Sequence, residues 1–228
     1  MALLELKDIK KSYQKGTRSV EALRGVDLHI ERGEFLAIVG PSGSGKTTLL
    51  NIVGCLDTST TGSVDYNGAQ LGGLSERELS EYRKSNIAFI FQSYNLIPVL
   101  TVCENVELPL VIERKLDKRE MKQRALAILE AVGLADMSDR YPRELSGGQE
   151  QRVAIARALV KDPLVVLADE PTANLDSETS EEIIGVMKRL NEERSMTFVF
   201  STHDPLVQKH ARRVVVLKDG RIASDERK

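Results

Sequence analysis

Residues 35–53 read Phe35-Leu-Ala-Ile-Val39-Gly40-Pro-Ser-Gly-Ser-Gly45-Lys46-Thr47-Thr48-Leu-Leu-Asn-Ile-Val53, and their order decides the fold class. The apolar run Phe35–Val39 has the pattern of a strand buried on both faces. Gly40–Thr47 fits the phosphate-loop pattern G-x-x-x-x-G-K-[ST], and Lys46–Val53 reads as a short helix of roughly two turns. A buried strand that turns through glycines into a helix is the context this pattern requires. Gly40, Gly43 and Gly45 let backbone N–H groups approach an anion with no Cβ in the way, and Ser42 and Ser44 complete the loop. The helix start adds its positive dipole end. Lys46 supplies a mobile charge for β- and γ-phosphates, and the Thr47 hydroxyl is placed to ligate Mg²⁺.

Outward from that stretch, alternation in Leu4–Ile9 and Val20–Ile30 predicts two antiparallel strands. Gly62–Asn67 reads as a strand entering a turn at Asn67-Gly68, and Asn86–Phe91 as another short strand. From about Gln92 to Leu145 the character becomes helical, with Glu104–Arg114 and Lys118–Val132 carrying apolar residues at helical spacing. Alternation then resumes: helix Gly147–Val160, strand Leu164–Ala168, helix Ser177–Arg194, strand Thr197–Ser201. Val214–Leu217, the turn Asp219-Gly220 and Arg221–Ala223 suggest a closing hairpin, with Asp225–Lys228 as a solvated tail without a role. Such alternation implies a mainly parallel sheet with helices on both faces.

A phosphate site needs an acidic group at the end of a different buried strand. Leu164-Val-Val-Leu-Ala-Asp169-Glu170 supplies one, delivered to the carboxyl end where ligands of open α/β sheets bind. Asp169 is expected to hold Mg²⁺ through water, and Glu170 to face the attacking water as general base. Alone, such a pair is as readily a helix cap; beside the phosphate loop the metal reading prevails.

Composition narrows the classes further. The 228 residues suit one domain, or one domain with a sizeable inserted lobe, and 41% hydrophobic residues suffice for a real core. Lys+Arg 32 against Asp+Glu 34 leaves a formal charge of −2, without the basic bias of nucleic-acid binding. Uncharged apolar stretches reach about ten residues, as in Asn95–Cys103, against the ~20 of a membrane span. The N-terminus lacks the basic-then-apolar layout of a signal peptide. Cys55 and Cys103 lack metal-ligand spacing and read as buried small hydrophobes in a reducing compartment. The expected location is cytoplasmic.

Leu145-Ser-Gly-Gly-Gln149, taken with the phosphate loop, resembles the signature of ATP-binding subunits of ABC transporters. Physically, Ser146 is a helix N-cap followed by Gly147 and Gly148 with unobstructed N–H groups, a second anion site ending at Gln149. One domain rarely needs two γ-phosphate sites, so Ser146–Gln149 is expected to complete the site of a second copy in a head-to-tail dimer. An ordinary capped helix would leave the glycine pair a costly choice in a first turn. The resemblance covers essentially the whole chain in the family's order. It implies a P-loop NTPase core, an N-terminal antiparallel β subdomain and an inserted α-helical lobe. The divisions are 1–91 and 163–228 for the core and about 92–162 for the lobe.

By the same resemblance Tyr13 matches the residue stacking on adenine, although a Tyr after a strand is more often plain packing. Ser42–Thr48 wraps the phosphates, Gln92 reaches Mg²⁺ and senses the membrane partner, and Ala173-Asn-Leu-Asp176 crosses the dimer interface. His203 matches the switch histidine at the γ-phosphate; the residues alone leave it between a structural and a chemical role. Glu150 and Asn174 depart from common family choices. Asn51–Asp57 and Asn95–Leu110 resemble most the lipoprotein-releasing (LolD-like) and macrolide-export (MacB-like) branch. That implies an integral membrane permease partner and attachment to the cytoplasmic face of the inner membrane. Cell-division or peptide-sensing regulators are the alternative. Nucleic-acid-maintenance ATPases fit less well, since roughly a hundred residues between Thr47 and Leu145 carry no sustained heptads.

Overall fold

The computed structural model describes residues 2–16 and 18–228. Strands β1 (Ala2–Lys15), β2 (Arg18–Glu31), β4 (Thr61–Tyr66) and β5 (Ala69–Gln70) form an antiparallel sheet in the order β2-β1-β4-β5. A second sheet runs β10-β9-β3-β8-β7-β6, from β3 (Phe35–Val39), β6 (Ile87–Ile90), β7 (Val165–Asp169), β8 (Thr197–Thr202), β9 (Arg213–Lys218) and β10 (Arg221–Arg227). All its pairings are parallel except β9–β10. The helices are α1 (Lys46–Val53), α2 (Glu76–Asn86), α3 (Val102–Glu113), α4 (Lys118–Ala131), α5 (Gly147–Leu159), α6 (Ser177–Arg194) and α7 (Pro205–His210).

Strand β3 is continuously apolar because it is paired on both edges and covered on both faces. Phe35 packs with Phe198 and Phe200 into a core shared with α3 to α6, its ring centroid 4.7 Å from that of Phe200. Leu36 and Ile38 face the other way, against α1 and the antiparallel sheet. Parallel register then does the positioning. Val39 pairs with Thr202, and Asp169 with Ser201, so the loops after β3, β7 and β8 emerge side by side at one sheet edge.

The expected strand and helix pattern is present, and three local differences have physical reasons. Helix α2 carries only Leu79 buried, so apolar periodicity is silent there; its signal is the Ser75–Glu78 capping box. Helix α7 is too short for any period, although Asp204 caps it. Residues 225–227 are not a solvated tail. They continue β10 against β9, and Asp225 accepts two 2.7 Å bonds from Nε and Nη2 of Arg213. That guanidinium is buried and also donates to Glu34 and to the His29 carbonyl. One of the charges that suggested solvent, Asp225, serves instead as partner for a buried cation.

Both cysteines are buried as expected, and burial pushes the Cys55 thiol up to about 11 and the Cys103 thiol up to about 12. Among the described residues, no helix is long and apolar enough to cross a membrane.

Candidate functional site

A cleft of about 650 Å³ opens at the carboxyl edge of the larger sheet. The phosphate loop forms its floor, and Gln92, Asp169, Glu170 and His203 form its wall. Gly40 is dictated by crowding: a Cβ there would stand 2.0 Å from the Leu217 carbonyl of β9. Helix α1 is capped by Gly45, which offers no side chain, whereas side chains cap α2 to α7. Its first N–H groups are therefore unclaimed by any cap, and no acidic residue stands in its first turn. Lys46 folds back over the loop, donating to the carbonyls of Gly40 (2.8 Å) and Pro41 (3.1 Å). Ser44 is buried and does not line the cleft, and among the described residues its hydroxyl has no partner. An uncapped helix start and a lysine together form a cradle for a polyanion.

Opposite the loop, Glu170 follows β7 with a φ of 48°. Its N–H donates to the Ser201 carbonyl (2.9 Å), locking the turn to β8. Its carboxylate accepts from the Thr202 hydroxyl at 2.9 Å and meets His203 Nδ1 at 2.7 Å. The imidazole itself is exposed, 77% of its side chain accessible, so it reaches out from the sheet edge. Thr172 donates to Asp204 at 2.7 Å, tying the segment after Glu170 to the start of α7. Burial raises the carboxyl of Asp169 above its ordinary value; the charge of Glu170 adds to this, while the Ser201 hydroxyl and Lys46 oppose it. Ser201 and Ala22 also line the cleft. Neither was singled out by pattern, though Ser201 was locatable as the strand-end partner of Asp169.

Besides Ser44, two groups of expected site residues lie outside this cleft. Tyr13 is partly exposed, beside Thr48, and its hydroxyl donates to Asp57 at 2.7 Å with Lys11 over the ring at 4.9 Å. Burial and the Asp57 contact raise its phenol. Ser146 caps α5 and forms a capping box with Gln149, away from the residues lining the cleft. Glu150 is half-buried, and burial raises its carboxyl. Asn174 donates to the Gln92 carbonyl at 3.0 Å, joining two loops at the cleft's rim.

The glycine pair also has a packing reason that the sequence reading lacked. A Cβ at Gly148 would meet Thr179 Cγ2 at 2.5 Å, and one at Gly147 would meet the Tyr94 hydroxyl at 3.1 Å. Thr179 is held in place by Asp176, 2.6 Å from its hydroxyl. Gly148→Ala is therefore expected to destabilise by about 1–3 kcal/mol, and adding Thr179→Ser, which deletes the clashing methyl, should recover most of the lost Tm. A Gly148→Ala protein melting with the wild type would contradict this.

Comparison with known proteins supplies the family. A family model described as ABC transporter matches residues 23–173. The chain is 46% identical over 231 residues to the uncharacterised ABC transporter ATP-binding protein MJ0796 of Methanocaldococcus jannaschii, covering 99% of this chain and 97% of that one. It is 42% identical to the bacitracin export ATP-binding protein BceA of Halalkalibacterium halodurans, covering 97% and 87%. It is 47% identical to the macrolide export ATP-binding/permease protein MacB of Syntrophobacter fumaroxidans, covering 96% of this chain and 31% of that protein. A solved dimeric, post-hydrolysis state of the MJ0796 cassette, bound to ADP and Pi, superposes with a TM-score of 0.89 at 45% identity, covering 98% of each chain. With its phosphate loop, signature stretch and α/β architecture in that order, the chain belongs to the ABC transporter family, as an ATP-binding subunit.

Proposed function

We propose that this chain binds MgATP in the cleft and hydrolyses it as half of a head-to-tail dimer, driving an integral membrane partner. The observation that carries this reading is the meeting of the uncapped start of α1 and Lys46 with the Glu170–His203 pair in one cleft. Phosphoryl transfer needs positioning and charge stabilisation more than covalent chemistry, and this arrangement provides both.

The loop Ser42–Thr48 takes the phosphates, with Lys46 leaving its two carbonyl partners to meet the β- and γ-phosphates. Thr47, Gln92 and, through water, Asp169 are the groups that would hold Mg²⁺. Mg²⁺ supplies charge neutralisation at the β- and γ-phosphate oxygens. Glu170, with its carboxylate fixed by Thr202 and His203, accepts the proton of the attacking water. His203 orients that carboxylate and reaches towards the γ-phosphate. Tyr13 holds adenine at the loop's flank. Because Ser146, Gly147, Gly148 and Gln149 stand outside their own chain's cleft, they serve the site of the opposite subunit. The dimeric cassette structures of a relative support this reading.

The membrane assignment rests on relatives named for export. It extends to the lipoprotein-release and export branch, on the cytoplasmic face of the membrane, with residues about 92–162 as the lobe facing the permease. Lys46→Ala should weaken ATP binding about 10- to 100-fold, since a charge-assisted contact is worth about 1.5–3 kcal/mol; titration with a fluorescent ATP analogue measures it. Unchanged affinity would remove the cleft from consideration. An affinity-tagged chain recovered from detergent-solubilised membranes should bring an integral membrane protein with it. Salt-sensitive retention on DNA instead would move the chain to the nucleic-acid class.

A further inference from the structure

Gln151 is a buried polar side chain that the mechanism above does not use. It lies in the second turn of α5, fully buried, and its Nε2 donates to the Pro171 carbonyl at 2.6 Å. Its own Oε1 is buried and has no partner among the described residues. Pro171 presents only an acceptor here, so the amide must turn its NH₂ inward. The stranded oxygen is the consequence of serving that carbonyl. A buried acceptor left unpaired is destabilising, and an apolar side chain of the same size would remove this one only by leaving the Pro171 carbonyl without its donor.

What the contact holds is the turn that carries the base. Glu170, with a φ of 48°, is a non-glycine residue in the left-handed region and also precedes a proline, which drives its backbone towards extended conformations. Such a conformation persists only where the surroundings over-determine it. On one side the Glu170 N–H is tied to the Ser201 carbonyl at 2.9 Å, and Ala173 N donates to the Glu170 carbonyl at 3.2 Å. On the other side Gln151 grips the next carbonyl along the chain.

We propose that Gln151 is a positioning residue for Glu170: by holding the Pro171 carbonyl it keeps the preceding backbone in the turn that aims the carboxylate at His203 and the cleft. The helix that starts with Ser146–Gln149 thereby grips the catalytic turn of its own chain. This inference rests on Glu170 being the base, as proposed above.

The test is Gln151→Met in the full chain, with Gln151→Leu in parallel so that a packing fault peculiar to one side chain does not decide the matter. Rates are expressed per nucleotide-binding site, which removes any unfolded fraction. The expected result is a kcat lowered 10- to 100-fold, the range for a small misplacement of a reacting group, with KM for ATP within about twofold and Tm lower by a few degrees, because the Pro171 carbonyl loses its donor. In a Glu170→Gln background, single-turnover hydrolysis should fall no further when Gln151→Met is added, because the two act as a unit. A kcat within about twofold of wild type in both variants overturns the inference, and so does an equal loss in both backgrounds. If Glu170→Gln itself turns over like the wild type, the base assignment fails and this inference falls with it. Normal Gln151→Met beside an inactive Glu170→Gln overturns this inference alone.

Discussion

Glu170→Gln is expected to lower kcat by about 10²- to 10⁴-fold, the usual worth of a positioned general base, while ATP affinity stays within about twofold. The geometry makes this a clean substitution. The substituted side chain would keep an oxygen to accept from Thr202, which now stands 2.9 Å from the carboxylate. Its amide would reach His203 Nδ1, now at 2.7 Å, so the loops after β7 and β8 stay together. What is lost is the ability to take a proton. Lys46, Thr47 and the start of α1 lie across the cleft from Glu170 and are untouched, so nucleotide is still bound. With binding intact and turnover stopped, the variant should accumulate as an ATP-loaded dimer, read by sedimentation velocity with and without MgATP. Multi-turnover hydrolysis near the wild-type rate would remove Glu170 from the role of base.

The largest effect on stability is expected at Arg213→Leu. The guanidinium is 3% exposed and joins β9 to β10 through Asp225, to Glu34 at 3.0 Å, and to the β2 carbonyl of His29 at 2.8 Å. Removing one member of a buried ionic group costs about 3–5 kcal/mol. Asp225 is about one-third exposed and regains water, so the lower end applies, about 3 kcal/mol. For a chain of this length that is a Tm lower by roughly 6–12 °C.

The effect carries a pH signature. The bonds from Arg213 hold the Asp225 carboxyl below its ordinary value, against some desolvation. A depressed carboxyl contributes stability above its unfolded pKa and loses it as pH falls through the folded value. The Tm difference between wild type and variant should therefore be full at pH 7 and shrink below about pH 4. A difference unchanged down to pH 3 would contradict the pairing.

The legible parts of the fold were those with local signals. Helix α1 follows from the phosphate-loop pattern, and α6 begins where Asp176 caps it, its N–H partner being Thr179 at 2.9 Å. Strands β3 and β7 announce themselves as apolar runs because both their faces are covered. Helix α2 escaped periodicity because one buried leucine makes no stripe. Residues 225–227 escaped because charge in a sequence reads as solvent unless its partner is known, and Arg213 lies in another strand.

The candidate site divides in the same way. The placement of Asp169, Glu170 and most of Gly40–Thr48 at the cleft was legible because each stands at a strand end or in the turn that follows it. That His203 meets Glu170 required the parallel pairing of β7 with β8. The packing of Gly148 on Thr179 and the hold of Gln151 on Pro171 required α5 to lie against the segment after β7. Sequence by itself determined the phosphate cradle, the acidic strand end, the order of the elements and the family they belong to, because each is written in residues adjacent along the chain. Tertiary structure alone decided which distant side chains meet the Glu170 carboxylate, which charges neutralise Arg213, and which signature residues stand apart from their own cleft. Those contacts depend on how strands and helices pack, and no local period of residues encodes that.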